Sequence, residues 1–197
     1  MEGPEFKATP AGVKIEQLKK IANERRARFR EVLRKLPPGQ KPSDHYIAKG
    51  VCPFECCRYG NWTVLEDTDL VATPGSKRVV GKARKGGRVA GLTGDVYLKP
   101  EPVVVLMNGD LPKDSIAFVL DSEGEGVGHV FTRGKIIDVF LGVADYCFRV
   151  SESCWGETLL PSSERKEPVW WVKVRLASGI VGWTDKADRF GDKDGCG

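Results

Sequence analysis

The sequence predicts a mainly β protein, two tandem small barrels preceded by an N-terminal amphipathic α-helix, and three observations carry that expectation. A pattern of Val80-Gly81, five residues, then Gly87-Arg88-Val89-Ala90-x-Leu92 returns at a 47-residue offset as Val127-Gly128, five residues, then Gly134-Lys135-Ile136-Ile137-x-Val139. Each copy reads as a strand, a loop, a glycine where positive φ or close backbone approach is affordable, and an apolar strand. The chain holds 23 Gly and 12 Pro, and beyond residue 50 its short apolar runs are cut by such turn residues, which suits strands rather than long helices. Only residues 13 to 36 keep the three-four spacing of a helix. The expected division is 1–49 for the helix and connector, 50–108 for a first barrel with a cysteine segment, and 109–197 for a second barrel.

The helix stripe runs Ile15, Leu18, Ile21/Ala22, Phe29, Val32/Leu33 and Leu36, interrupted by Arg25 and stopped by Pro37-Pro38-Gly39. Lys19, Lys20, Arg26, Arg28, Arg30, Arg34 and Lys35 crowd the other face. Such a helix either docks on its own barrel or acts as a spacer with its charges solvated, or it lies on an anionic membrane or grips nucleic acid, so membrane-surface contact stays open. After a polar connector at 40–50, the first half offers strands at 69–73, 78–82, 88–93, 95–99 and 103–107, with a break at 108–112. The second half offers 115–120, 126–131, 135–141, 146–150, 169–176 and 180–184, with a long loop at 151–168. In the last pair, alternation places Trp170, Val172 and Val174 on one face and Trp171, Lys173 and Arg175 on the other, with Gly179 in the turn.

That closing hairpin, Trp171-Val172-Lys173-Val174-Arg175 with Gly179 and Gly182-Trp183, resembles the last strands of bacterial Src-homology-three-like (SH3b) domains. The paired Val-Gly and Gly-Arg/Lys elements are similar to earlier strands of the same fold, so the resemblance covers roughly residues 60 to 190. The segment Cys52-Pro53-Phe54-Glu55-Cys56-Cys57-Arg58-Tyr59-Gly60-Asn61-Trp62 is similar to one in bacterial envelope proteins that carry such domains. The resemblance implies five-stranded, partly open barrels that bind peptides or cell-wall components outside the cytoplasm. The first copy departs from the pattern, with Val103-Val104-Val105-Leu106-Met107 where a Gly-Trp strand is expected.

Charge and chemistry narrow the function. Residues 1–49 carry 12 Lys/Arg against 6 Asp/Glu and the remainder 19 against 21, so the body has no net positive charge for nucleic acid. The cationic run Lys77, Arg78, Lys82, Arg84, Lys85, Arg88 lacks interleaved stacking aromatics. No apolar stretch is long enough to span a bilayer, and the acidic start Met1-Glu2-Gly3-Pro4-Glu5-Phe6 does not read as a leader.

Six cysteines, Cys52, Cys56, Cys57, Cys147, Cys154 and Cys196, suit a disulfide framework of open connectivity in a periplasmic or extracellular protein whose leader is absent from this chain, with a metal site or free thiols, and a cytoplasmic location, the less favoured alternatives. Their spacing lacks the paired knuckles of zinc modules and the two-residue gap of redox motifs. His45 and His129 offer no evident nucleophile–base pair, and Glu66-Asp67-x-Asp69, Asp121-x-Glu123-x-Glu125 and Asp192-x-Asp194 read as solvated turns. Gly124-Glu125-Gly126-Val127-Gly128 is not followed by a helix pattern, so phosphate binding is unsupported.

The expected function is therefore non-catalytic, without metal or cofactor. It is recognition of a cell-wall polymer or an envelope protein or peptide through Trp155, Trp171, Lys173 and Arg175. The alternatives are a structural protein–protein module without a small ligand and, less favoured, a nucleic-acid-binding barrel.

Overall fold

A computed structural model describes residues 15–54, 56–106, 109–121, 127–140 and 155–196. The protein is mainly β with one N-terminal helix, α1 (Ile15–Lys35). It forms two compact units that interleave along the chain. One comprises Met1–Asp44 with Pro100–Arg165, the other His45–Lys99 with Lys166–Gly197. The division expected from the repeat runs in chain order, whereas these units are defined by contact.

The first unit joins α1 to a five-stranded antiparallel sheet of β6 (Glu101–Val105), β7 (Ile116–Val119), β8 (Val127–Thr132), β9 (Lys135–Phe140) and β10 (Gly156–Thr158). The strand order is β10-β6-β7-β8-β9. Strand β6 is buried on both faces, which is why its Val-Val-Val run does not alternate. Val103 and Val105 pack with Leu111, Ala117, Val130 and Val139. Val104 packs with Leu159 and Phe29 of α1.

The helix docks through more than its apolar stripe. Ala22 and Phe29 are buried, while Ile21 and Val32 of the expected stripe are exposed. Arg25 Nη1 lies 3.1 Å and Arg26 Nε 2.5 Å from the two carboxylate oxygens of Glu157, a residue only 8% exposed. Arg30 Nε donates to the Leu159 carbonyl at 2.6 Å. Arg25, Arg26 and Arg30 are thus docking residues rather than a solvated face, since a buried carboxylate requires paired cations.

The second unit is a curled eight-stranded sheet. It contains β1 (Tyr46–Lys49), β2 (Gly60–Val64), β3 (Thr68–Val71), β4 (Val79–Ala83), β5 (Arg88–Leu98), β11 (Val169–Leu176), β12 (Val181–Thr184) and β13 (Phe190–Gly191). The order is β13-β2-β5-β11-β12-β3-β4, with β1 also on β5. Its core is Trp62, Val64, Leu70, Ala83, Val89, Val172, Val174, Ala187 and Phe190.

The strands expected at 88–93 and 95–99 are one strand, β5. Gly94 lets it continue past a crowded point, because a Cβ there would stand 2.2 Å from Trp170 Nε1 and 2.7 Å from the Tyr59 hydroxyl. The first half of β5 pairs β2 and the second half pairs β1. Strand β1 lies in the expected connector and β10 in the expected long loop. The strand expected at 146–150 lies outside the described residues.

The repeat in letters is not a repeat in pairing. Strands β8 and β9 form a tight hairpin over six residue pairs, turned by Arg133 and Gly134 at φ 49° and 78°. The matching β4 and β5 take separate partners, β4 with β3 and β5 with β2, around a corner where Gly86 N bonds Val64 O and Val64 N bonds Gly87 O. Gly86, at φ 78°, and Gly87, three and four residues beyond the end of β4, permit a corner rather than a two-residue turn.

Candidate functional site

Strand β11 places the expected platform. Val172 and Val174 are fully buried, and Trp170 packs against the core beside Trp62 at a centroid distance of 6.2 Å. Trp171, Lys173 and Arg175 therefore point to the other face. Directly paired residues of neighbouring strands share a face. Trp171 stands opposite Asp95, itself opposite Lys49; Lys173 stands opposite Thr93 on one side and Trp183 on the other; Trp183 stands opposite Val71.

The result is a patch on the outer face of the second unit in which Lys173 neighbours two half-buried indoles, Trp171 two residues earlier on its own strand and Trp183 directly across from it. Its Nζ is 5.6 Å from the Trp183 ring centroid, within cation–π range. Trp183 was not among the expected residues, although strand alternation from Gly182 and its pairing with Lys173 would have shown it. Gly182 is obligatory beneath it: a Cβ there would meet Leu70 Cβ at 2.8 Å and Val80 Cγ2 at 2.9 Å. Arg175 lies on the same face and is exposed, whereas Trp155 belongs to the first unit and packs against its core.

The remaining chemistry is largely spoken for. Lys82 pairs Asp69 at 3.3 Å, Arg84 pairs Asp67 at 2.8 Å and Arg88 pairs Asp192 at 2.9 Å, so half of the cationic run faces acids of its own unit. The Lys85 backbone N–H, followed by the Arg84 side chain, holds the Asp67 carboxyl below its ordinary value. The Thr63 hydroxyl, with Arg88 behind it, does the same for Asp192. His45 is exposed, and His129 faces Asp121 at 2.6 Å through Nδ1 and Asp138 at 3.3 Å through Nε2. Tyr59 donates to the Val51 carbonyl at 2.5 Å, and burial raises its phenol above the ordinary range.

The cysteine segment is a clasp. Cys52 is joined to Cys57, and Cys56 to Cys196, each with Cα atoms 5.5 Å apart; Cys147 and Cys154 lie outside the described residues. Backbone bonds run alongside, from Arg58 N to Lys193 O and from Gly195 N to Cys56 O, both at 2.7 Å. The C-terminal segment thereby lines one side of an open groove of about 540 Å³ whose lining also includes Phe54, Arg58, Leu65 and Phe190. Cys56, Asp194 and Cys196 bring donor atoms within 4.8 Å of one another. With the two sulfurs bonded to each other, neither is a thiolate ligand, and one exposed carboxylate is left.

No free thiol occurs among the described cysteines, and no described helix is long and apolar enough to cross a membrane. Fold and clasp together define a mainly β, disulfide-bonded protein of the kind made in oxidising compartments. No family model, curated protein or solved structure matches the chain.

Proposed function

We propose that the protein is a non-catalytic extracytoplasmic binding module that takes a cell-wall polymer or an envelope peptide on the outer face of its second unit. The observation that carries this reading is the outward cluster of Trp171, Lys173 and Trp183, with Lys173 against the Trp183 ring, Trp171 two residues along its own strand and exposed Arg175 two residues the other way. Indole faces stack on sugar rings or proline-rich backbones, and the cations pair with carboxylates of the same ligand. The arrangement sits on paired strands rather than on a loop, so little conformational entropy is lost on binding.

We infer further that the second unit is a single SH3-like barrel. Supporting this are its strand succession, β2, the β3–β4 arm, β5, β11, β12, a 3-10 turn at Ala187–Arg189 and the short closing strand β13, and its order β13-β2-β5-β11-β12. In this reading residues 100–165 are an insertion between β5 and β11, and the Gly-Trp motif occurs once because there is one barrel. Co-sedimentation with purified bacterial cell wall tests the binding role. Trp171→Ala is expected to weaken binding about tenfold, equivalent to about 1.4 kcal/mol, while the near-ultraviolet signature of buried Trp62 persists. Unchanged binding by a folded variant sinks the assignment.

A further inference from the structure

The two disulfides present different faces to a thiol in solution. Cys56 and Cys196 are both exposed, whereas Cys52 and Cys57 are half-buried. Exchange begins with attack of a thiolate on a disulfide sulfur, so access decides which bond opens first. The exposed bond also fastens the far end of an exposed segment. From Asp192 to Cys196 the chain is exposed apart from half-buried Lys193, and it meets the cysteine loop through the Cys57–Asp194 bridge and the two backbone bonds at Lys193 and Gly195. Immediately before it, Phe190 is fully buried in the core against Trp62 at 5.9 Å. The segment is thus a strap held at one end by buried Phe190 and by the bonds of Asp192 to Thr63 and Arg88, and at the other end by one disulfide. Gly191, Asp192, Lys193 and Asp194 form a wall of the groove that also contains Phe54, Arg58 and Leu65.

We propose that Cys56–Cys196 is a thiol–disulfide exchange site for an external dithiol, and that opening it releases the strap and frees one wall of the groove. In the first step a thiolate of the dithiol attacks Cys196 Sγ, forming a mixed disulfide and expelling Cys56 as thiolate, which takes up a proton. The second thiol of the reductant then displaces Cys196, which is also protonated. Two electrons and two protons pass to the protein, and the reductant leaves as its disulfide. The Asp194 carboxylate, within 4.8 Å of both sulfurs, favours the neutral thiols over thiolates once the bond is open. Cys52–Cys57, which closes its own short loop, stays intact and keeps the cysteine loop in shape.

The test is partial reduction of the full chain with limiting dithiothreitol, quenching by alkylation at intervals, and peptide mapping, with hydrogen exchange on the same samples. Cys56 and Cys196 are expected to be alkylated at least about tenfold faster than Cys52 and Cys57, as exposure governs the attack. The backbone N–H groups of Arg58 and Gly195 should lose protection in step with them, while Val172 in the core stays far better protected than either. Joint opening of both bonds, or earlier opening of Cys52–Cys57, overturns the exchange site. Opening of Cys56–Cys196 with unchanged protection at Arg58 and Gly195 overturns strap release.

Discussion

Removing the Cys56–Cys196 bond should cost the protein far more stability than removing Cys52–Cys57, although both link residues at the same Cα separation. The bonds close loops of very different length, 140 and 5 residues. In the chain-entropy description, a cross-link restricts the unfolded chain in proportion to the logarithm of the loop it closes. This yields about 5 kcal/mol for the long loop and about 2 kcal/mol for the short one. If residues 100–165 stay folded while the second unit unfolds, the flexible part of the long loop is roughly halved, which lowers the figure by only about 0.6 kcal/mol. The perturbations are the paired changes Cys56→Ser with Cys196→Ser, and Cys52→Ser with Cys57→Ser, so that neither variant leaves an unpaired thiol to exchange. Urea unfolding followed by tryptophan fluorescence reports the second unit through buried Trp62. The first pair should lose about 3 kcal/mol more than the second. Equal losses, or a larger loss from the short loop, would refute the claim that Cys56–Cys196 ties the ends of this unit together.

Two further outcomes follow from the geometry. Glu157→Gln removes the charge that Arg25 and Arg26 enclose, and urea unfolding of the first unit should show a loss of about 2 to 3 kcal/mol, the low end for a buried pair because both arginines are partly exposed; a change below about 0.5 kcal/mol would mean the helix docks by Phe29 alone. Asp67 has a folded-state value below its ordinary 3.8, so its pairing contributes stability above that value that is lost as pH falls through the folded one; the unfolding midpoint plotted against pH below about 4 should therefore be flatter in Asp67→Asn than in the wild type.

Local patterns in the sequence reach the elements whose cause is local. The helix is visible in its three-four spacing, and β11 in strict alternation from Trp170 to Val174, because those periods are imposed by the element itself. Strand β5 reads as two because Gly94 looks like punctuation; its reason, the Trp170 and Tyr59 side chains that both crowd the place of its Cβ, comes from distant parts of the chain. Strand β13 is hidden in a charged tail, with a lone Phe190 as its trace.

The site divides the same way. Trp171, Lys173 and Arg175 follow from alternation, but Trp183 enters the patch through cross-strand register, and the docking of Arg25 and Arg26 depends on Glu157 more than 130 residues away. Arg25 breaking the apolar stripe was the one local sign of it. The repeat misleads for a related reason: glycine spacing marks where the chain turns, and the partners on either side decide whether the turn is a hairpin or a corner. The disulfide partners Cys56 and Cys196 are likewise set by the fold, since six cysteines allow many pairings.

The most direct test of the binding surface compares sedimentation of the wild type and Trp171→Ala with purified cell wall across a range of wall concentrations. The proposed role predicts saturable binding by the wild type and a roughly tenfold weaker curve for the folded variant, about 1.4 kcal/mol. Superimposable curves, or no saturable binding by either protein, would contradict it.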